Sequence, residues 1–170
     1  VTLIVSPLSQ VHAVIAARAP SHLVTLLDPA SMIDTPAGVS PERHLKLSVN
    51  DIAEQAEGLI PPDEALIRRI LAFGEAWDEA QPMLIHCWAG ISRSSATAFV
   101  LACARNPDTA EHDIAQRLRQ ASPTATPNRR IVALADDMLG RQGRMVEAAT
   151  AIGTGAFAFE GAPFDLPARF

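Results

Sequence analysis

Apolar residues recur along this chain in two rhythms. Short runs with strand character lie at 2–5 (TLIV), 22–27 (HLVTLL) and 82–85 (PMLI). At 43–49 (RHLKLSV) apolar and polar residues alternate, the period of a strand with one face exposed. Elsewhere the period lengthens to that of a helix. From Asp63 onward, Leu66, Ile70, Phe73 and Trp77 share one helical face, and Asp63-Glu64 put negative charge on the first turn. Ser6-Pro7 reads as an N-cap with proline at the first helical position, predicting a helix to about Ala19, stopped by Pro20. A small-residue segment at 94–105 (SSATAFVLACAR) suits close packing on a sheet, and 108–120, 128–142 and 143–152 read as further helices. Proline and glycine mark 28–42 and 50–62 as loops. The tail, 150–170, carries Gly, Pro and Phe and predicts an irregular segment docked on the rest.

Strands alternating with helices, then helices only, predict an α/β fold. The expected form is a central, mostly parallel sheet of about four strands flanked by helices. At 170 residues the chain reads as one domain, 1–170, long enough to bury a core. The net charge of −5 argues against nucleic acid or an anionic membrane as partner. No apolar run reaches the roughly 20 residues of a membrane span. The first residues lack the basic region of a signal peptide. Two cysteines, Cys87 and Cys103, make no disulfide framework, so a reducing cytoplasm is the expected compartment. Lys46 is the only lysine among 14 basic residues, which with abundant Ala and Pro suggests a GC-rich bacterial genome.

The chemistry concentrates in His86-Cys87-Trp88-Ala89-Gly90-Ile91-Ser92-Arg93-Ser94, between the 82–85 strand and the 94–105 helix. A loop of small residues closing onto a helix N-terminus gathers backbone N–H groups into a cradle for a dianionic phosphate. The same field favours a thiolate at Cys87. Gly90 gives the tight loop its backbone freedom. Arg93 offers a planar fork for two phosphate oxygens. These parts suit a two-step phosphoryl transfer: Cys87 attacks phosphorus, and water then hydrolyses the phosphocysteine. Ser94 can donate a hydrogen bond to the departing sulfur. The leaving oxygen needs a general acid.

At these positions the chain resembles the protein tyrosine phosphatase superfamily, whose pattern is His-Cys-x-x-Gly-x-x-Arg-Ser/Thr. Its length is similar to that of the dual-specificity branch, especially small bacterial members. The resemblance extends over 1–140. It implies a phosphatase-type Cys-x5-Arg fold and a phosphomonoesterase that needs no cofactor and no metal. It implies a phosphate-binding loop over Trp88, Ala89, Gly90, Ile91, Ser92 and Arg93, and a second-rank role for His86 behind Cys87. It also implies an aspartate on a loop after a strand, thirty-odd residues before the cysteine. Asp51 follows the 43–49 strand and lies 36 residues before Cys87. Glu54, Glu57 and Asp63 are its rivals, Asp63 fitting a helix first turn better. Asn128, in Thr126-Pro127-Asn128, matches a Pro-Asn that steadies the phosphate loop in similar proteins, and it is equally a plain helix N-cap.

Expected partners are a phosphorylated protein or a small phosphomonoester, with phosphate, sulfate or vanadate able to occupy the loop. The loop interior carries no Lys or Arg, which disfavours inositol lipids, and the chain has no Tyr for a deep phosphotyrosine pocket. His12, His22, His44 and His112 show no metal-ligand spacing. Two alternatives stay open: a phosphate-recognition module without turnover, and sulfur-transfer or arsenate-reducing chemistry. The last needs a cycling thiol. A helix rise of about 1.5 Å per residue carries Cys103 roughly 15 Å past Arg93, too far for a disulfide with Cys87. Trp88 could line the pocket rim or pack on neighbouring helices. Arg129 and Arg130 could lie near the pocket or be ordinary exposed helix arginines.

Overall fold

The computed structural model describes all residues, Val1–Phe170. The strands are β1 (Thr2–Pro7), β2 (His22–Leu27), β3 (His44–Ser48), β4 (Met83–Cys87) and β5 (Phe164–Pro167). The helices are α1 (Val11–Arg18), α2 (Glu64–Ala76), α3 (Arg93–Arg105), α4 (Glu111–Ala121), α5 (Arg129–Met138) and α6 (Arg144–Ala151). The strands form one five-stranded sheet in the order β3-β2-β4-β1-β5. β1 to β4 are parallel, and β5 runs antiparallel on the outer edge of β1.

Both faces are covered, which is why β2 and β4 are apolar along most of their length. Leu3, Val5, Val24, Leu26, Met83 and Ile85 face a core of 32 buried residues shared with helices α2 to α6. The alternate residues Ile4, Leu23 and Leu84 face a smaller cluster of 7 built on Val11, Val14 and Ile15 of α1. α3 is the central helix: Ala96, Ala98, Ala102 and Cys103 let it lie flat on the sheet with nothing of its middle exposed. No helix is long and apolar enough to cross a membrane.

Two expectations change. Ser6-Pro7 does not cap a helix. Both residues stay in β1, Pro7 pairs in register with Cys87, and a single 3-10 turn, Leu8–Gln10, precedes α1. Pairing with β4 outweighs the local capping signal. The tail, 150–170, is not wholly irregular. It ends in β5, where Phe164 and Leu166 point into the core while Asp165 pairs with Arg18 outside. Four residues among Gly and Pro are too few for the alternation to stand out. The free edge of β1 supplies the partner.

Candidate active site

β4 occupies the middle of the sheet, and its carboxyl end is where an open α/β sheet places a ligand. Cys87 is the last residue of β4 and is buried, with Sγ 3.1 Å from Oγ of Ser94 in the first turn of α3. Between them, 88–92 form a loop with its polarity sorted. The carbonyl of Trp88 accepts from the Leu8 N–H, that of Ala89 from the Gly161 N–H, and those of Ile91 and Ser92 from the N–H groups of Thr126 and Asn128. Ser95 Oγ donates to the carbonyls of Ile91 and Ser92. None of the five N–H groups of 88–92 donates to a protein acceptor. The loop therefore uses its acceptors on the scaffold and keeps its donors free.

Gly90 turns the chain with φ of +70°, and a Cβ there would lie 2.6 Å from Pro7 N and 2.8 Å from Ser6 C. Only glycine satisfies both the backbone angle and the close approach of β1. Arg93 opens α3 and is 6% exposed, so it is no surface cation. Its Nη1 donates to the carbonyl of Val49 at 2.8 Å, while its buried Nε has no partner. A buried guanidinium N–H without an acceptor, beside a thiol and free amides, fits an anion site.

Asp51 lies just past β3, on the loop 49–62. Its Oδ1 accepts from Ser92 Oγ at 2.7 Å and from Asn128 Nδ2 at 2.9 Å, and its Oδ2 has no protein partner. Asn128 holds three segments together. Its Oδ1 caps α5 by accepting from the N–H groups of Arg130 and Ile131, its Nδ2 reaches Asp51 and the carbonyl of Ile52, and its backbone N–H reaches Ser92. Two rivals of Asp51 are engaged in other contacts. Asp63 caps α2, accepting from the Leu66 N–H, and Glu54 is an exposed partner of Arg129. Arg130 Nε donates to the carbonyl of Pro62. A cavity of about 470 Å³ opens beside Asp51, Ser92 and Asn128, and Thr126, Val132 and Thr150 help to line it. Trp88 is 57% exposed, so it does not pack under a helix.

His86 is wholly buried behind Cys87. Its Nδ1 lies 3.3 Å from the Cys87 carbonyl oxygen and its Nε2 2.7 Å from Thr25 Oγ1. Burial drives its pKa down to about 4, against the pull of the Cys87 carbonyl, so the ring is neutral near pH 7. Cys103 lies in the core and its thiol is pushed up to about 12, first by burial and then by Glu111. Both cysteines are free. No three His, Cys, Asp or Glu side chains converge in a way that could hold a metal ion.

Sequence reasoning did not find Thr25, Thr126 or Gly161. Thr25 carries the one readable signal, a polar residue in the middle of an apolar strand. Thr126 and Gly161 act through backbone atoms, which leave no mark on residue type.

The sequence matches no protein-family model. Nor does it match a curated protein. Solved structures do match. DUSP15 superposes with a TM-score of 0.63 at 14% identity, over 87% of this chain and 88% of that one. PTPMT1, solved with PI(5)P, gives 0.59 at 13% identity over 81% and 87%. Human DUSP28 gives 0.55 at 21% identity over 75% and 83%. At such low identity the agreement speaks for the backbone, which is shared over most of each chain: this protein has the protein tyrosine phosphatase fold, in the form seen in dual-specificity phosphatases.

Proposed function

We propose that the chain is a phosphomonoester hydrolase of the tyrosine and dual-specificity type, working through a phosphocysteine on Cys87. The observation that carries this reading is the free donor set. Five loop N–H groups and the buried Nε of Arg93 have no protein acceptor, and they follow directly on the strand end that carries Cys87. A phosphoryl group gives them the oxygens they lack, and they stabilise the charge that spreads over the equatorial oxygens in the transition state.

In the first step the Cys87 sulfur attacks phosphorus, the P–O ester bond breaks, and the leaving oxygen takes a proton from Asp51. The free Oδ2 of Asp51 is the oxygen available to carry that proton, while Ser92 and Asn128 hold Oδ1. In the second step Asp51 takes a proton from water, water oxygen attacks phosphorus, and the S–P bond breaks. Ser94 Oγ then donates to the departing thiolate. His86 and Asn128 support the loop without touching the phosphoryl group.

The proposed substrates are phosphorylated proteins or small phosphomonoesters. The loop interior, 88–92, carries no Lys or Arg, and Arg129 of the adjoining cavity is already paired with Glu54, so multiply phosphorylated inositol rings find little counter-charge there. The thiol must stay reduced to act, so a reducing compartment such as the cytoplasm is the proposed location.

The test is hydrolysis of p-nitrophenyl phosphate in EDTA, wild type beside Cys87→Ser. Activity that survives chelation and disappears in the variant is expected. A wild type that binds vanadate and turns nothing over would replace the hydrolase with a phosphate-recognition module. Asp51→Asn is expected to cut kcat by about 10²–10⁴ on poor leaving groups and to flatten the alkaline limb of the pH profile. An unchanged profile would move the acid role to another residue.

A further inference from the structure

A row of buried polar side chains crosses three adjacent strands just behind the phosphate loop. His86 on β4 and Thr25 on β2 sit opposite each other in the ladder, both wholly buried, and His44 begins β3 alongside. On this face the neighbouring positions, Leu23 and Leu84, belong to an apolar cluster. Polar groups here are costly unless every one is hydrogen-bonded. They are. Thr35 Oγ1 lies 2.9 Å from His44 Nδ1, His44 Nε2 lies 2.8 Å from Thr25 Oγ1, Thr25 Oγ1 lies 2.7 Å from His86 Nε2, and His86 Nδ1 lies 3.3 Å from the Cys87 carbonyl oxygen.

The direction of this chain of bonds follows from its last acceptor. A carbonyl oxygen only accepts, so His86 Nδ1 carries the proton. The ring is neutral near pH 7, so Nε2 accepts, and Thr25 must donate to it. A hydroxyl has one proton, so Thr25 then accepts from His44 Nε2–H. His44 is also neutral, its pKa lowered to about 4 by burial and then by Lys46, so its Nδ1 accepts from the Thr35 hydroxyl. Every proton position is determined, and all bonds run one way, from Thr35 toward the nucleophile.

We propose that Thr25 and His44, backed by Thr35, are positioning residues for the nucleophile: they hold His86 in the tautomer that donates to the Cys87 carbonyl, and so fix the first peptide of the phosphate loop. The peptide unit is planar and trans, so anchoring the Cys87 carbonyl on one side sends the Trp88 N–H to the other. That N–H has no protein acceptor and is the first donor of the cradle. With the opposite tautomer, the Nδ1 lone pair would face the Cys87 oxygen, and the peptide would be free to rotate.

The inference rests on Cys87 as the reactive thiol, but two of its readouts need no substrate. Thr25→Val keeps the shape and removes the hydroxyl, and Thr25→Ser restores it. Two-bond ¹⁵N–¹H correlation spectra report the His86 tautomer, and iodoacetate alkylation against pH reports the Cys87 thiolate. In Thr25→Val only the Cys87 carbonyl still favours Nδ1–H, so the Nε2-protonated tautomer is expected to gain a measurable share. The alkylation midpoint is expected to rise by about half a pH unit or more. kcat is expected to fall about tenfold with KM little changed, a loss set by loop orientation rather than binding. Thr25→Ser is expected to recover all three. If Thr25→Val does not fold, His44→Gln, whose amide N–H can still donate to Thr25, is compared with His44→Leu, which cannot. A folded Thr25→Val, or failing it a folded His44→Leu, with the proton still wholly on Nδ1 and an unmoved midpoint would overturn the proposal. A chain without turnover would sink the hydrolase reading and leave the tautomer and alkylation results to decide this one.

Discussion

Gly90→Ala is the sharpest test of how the phosphate loop is held. The perturbation is one methyl group. At φ of +70° an L-residue pays about 1–2 kcal/mol for the left-handed backbone alone. The new Cβ would also lie 2.6 Å from Pro7 N and 2.8 Å from Ser6 C, both backbone atoms of a strand paired on each side. Nothing there can swing aside, so the loop itself must move outward. Overpacking of this kind costs about 1–3 kcal/mol more, giving a total of about 2–5 kcal/mol. Gly140→Ala is the matched control: φ is +63° and nothing lies within 4 Å of its Cβ. It should lose only the backbone share, a drop in Tm of about 3–6 °C for a chain of this size, against roughly 10 °C for Gly90→Ala. The assay is thermal or urea unfolding beside kcat on p-nitrophenyl phosphate. Displacing the loop amides by a fraction of an ångström should cost Gly90→Ala on the order of 10²-fold in kcat, with Gly140→Ala unaffected. Equal destabilisation in the two variants, with activity kept in both, would refute the close approach of β1 as the reason for glycine.

The buried His86 makes stability depend on pH. Its pKa of about 4 lies below the ordinary 6.5, so the unfolded chain takes up the proton first as pH falls. The contribution is complete above about 6.5 and is lost through the window down to about 4, roughly 3 kcal/mol in all, and a flat urea midpoint across that range would contradict it. Asp136 accepts from the N–H groups of Gly143, Met145 and Val146 at 2.6, 2.7 and 3.2 Å, tying α5 to the start of α6. Asp136→Ala should cost about 3–4 kcal/mol, and an unchanged Tm would deny the cap its role. Cys103, with its thiol pushed up to about 12, should stay unmodified while iodoacetamide alkylates Cys87 at pH near 8, and peroxide should inactivate at Cys87 without a disulfide between the two. A peptide map carrying label on Cys103, or a bond between the cysteines, would count against this.

The chemistry proposed for the loop could be read from the sequence because it is written in side chains at fixed spacing. His86, Cys87, Gly90, Arg93 and Ser94 announce themselves in one stretch, and the flanking patterns at 82–85 and 94–105 place them between a strand and a helix. The main sheet was legible for the same reason: β2 and β4 are apolar along most of their length, and β3 alternates. What could not be read depends on partners distant in sequence. β5 exists because β1 has an open edge, and Ser6-Pro7 stays extended because β4 pairs with it. In the sequence Thr25 and His44 give no hint of each other or of His86. They become a chain of bonds only when β3, β2 and β4 are set side by side.

The nonapeptide does not make its own cradle. Its amides stay free only while its carbonyls are engaged elsewhere, and those partners come from segments far apart: Leu8 after β1, Thr126 and Asn128 before α5, and Gly161 before β5. Flipping any of these loop peptides inward would break a hydrogen bond and leave a carbonyl with no donor, a penalty of about 1–3 kcal/mol each. Four carbonyls held in this way make inversion of the loop prohibitively costly at room temperature, so under the proposed mechanism the donors would need no reorganisation as charge develops on a phosphoryl group. Gly161 therefore belongs to the site's support although it brings no chemistry. A Cβ at Gly161 would come within 3.2 Å of Thr124 Oγ1 and 3.4 Å of the Gly90 oxygen, so the tail lies directly against the loop it steadies. The residues of the proposed chemistry, Asp51 apart, are contiguous in sequence. The parts that keep them in place span the chain from Leu8 to Gly161, and the fold brings them to one strand end.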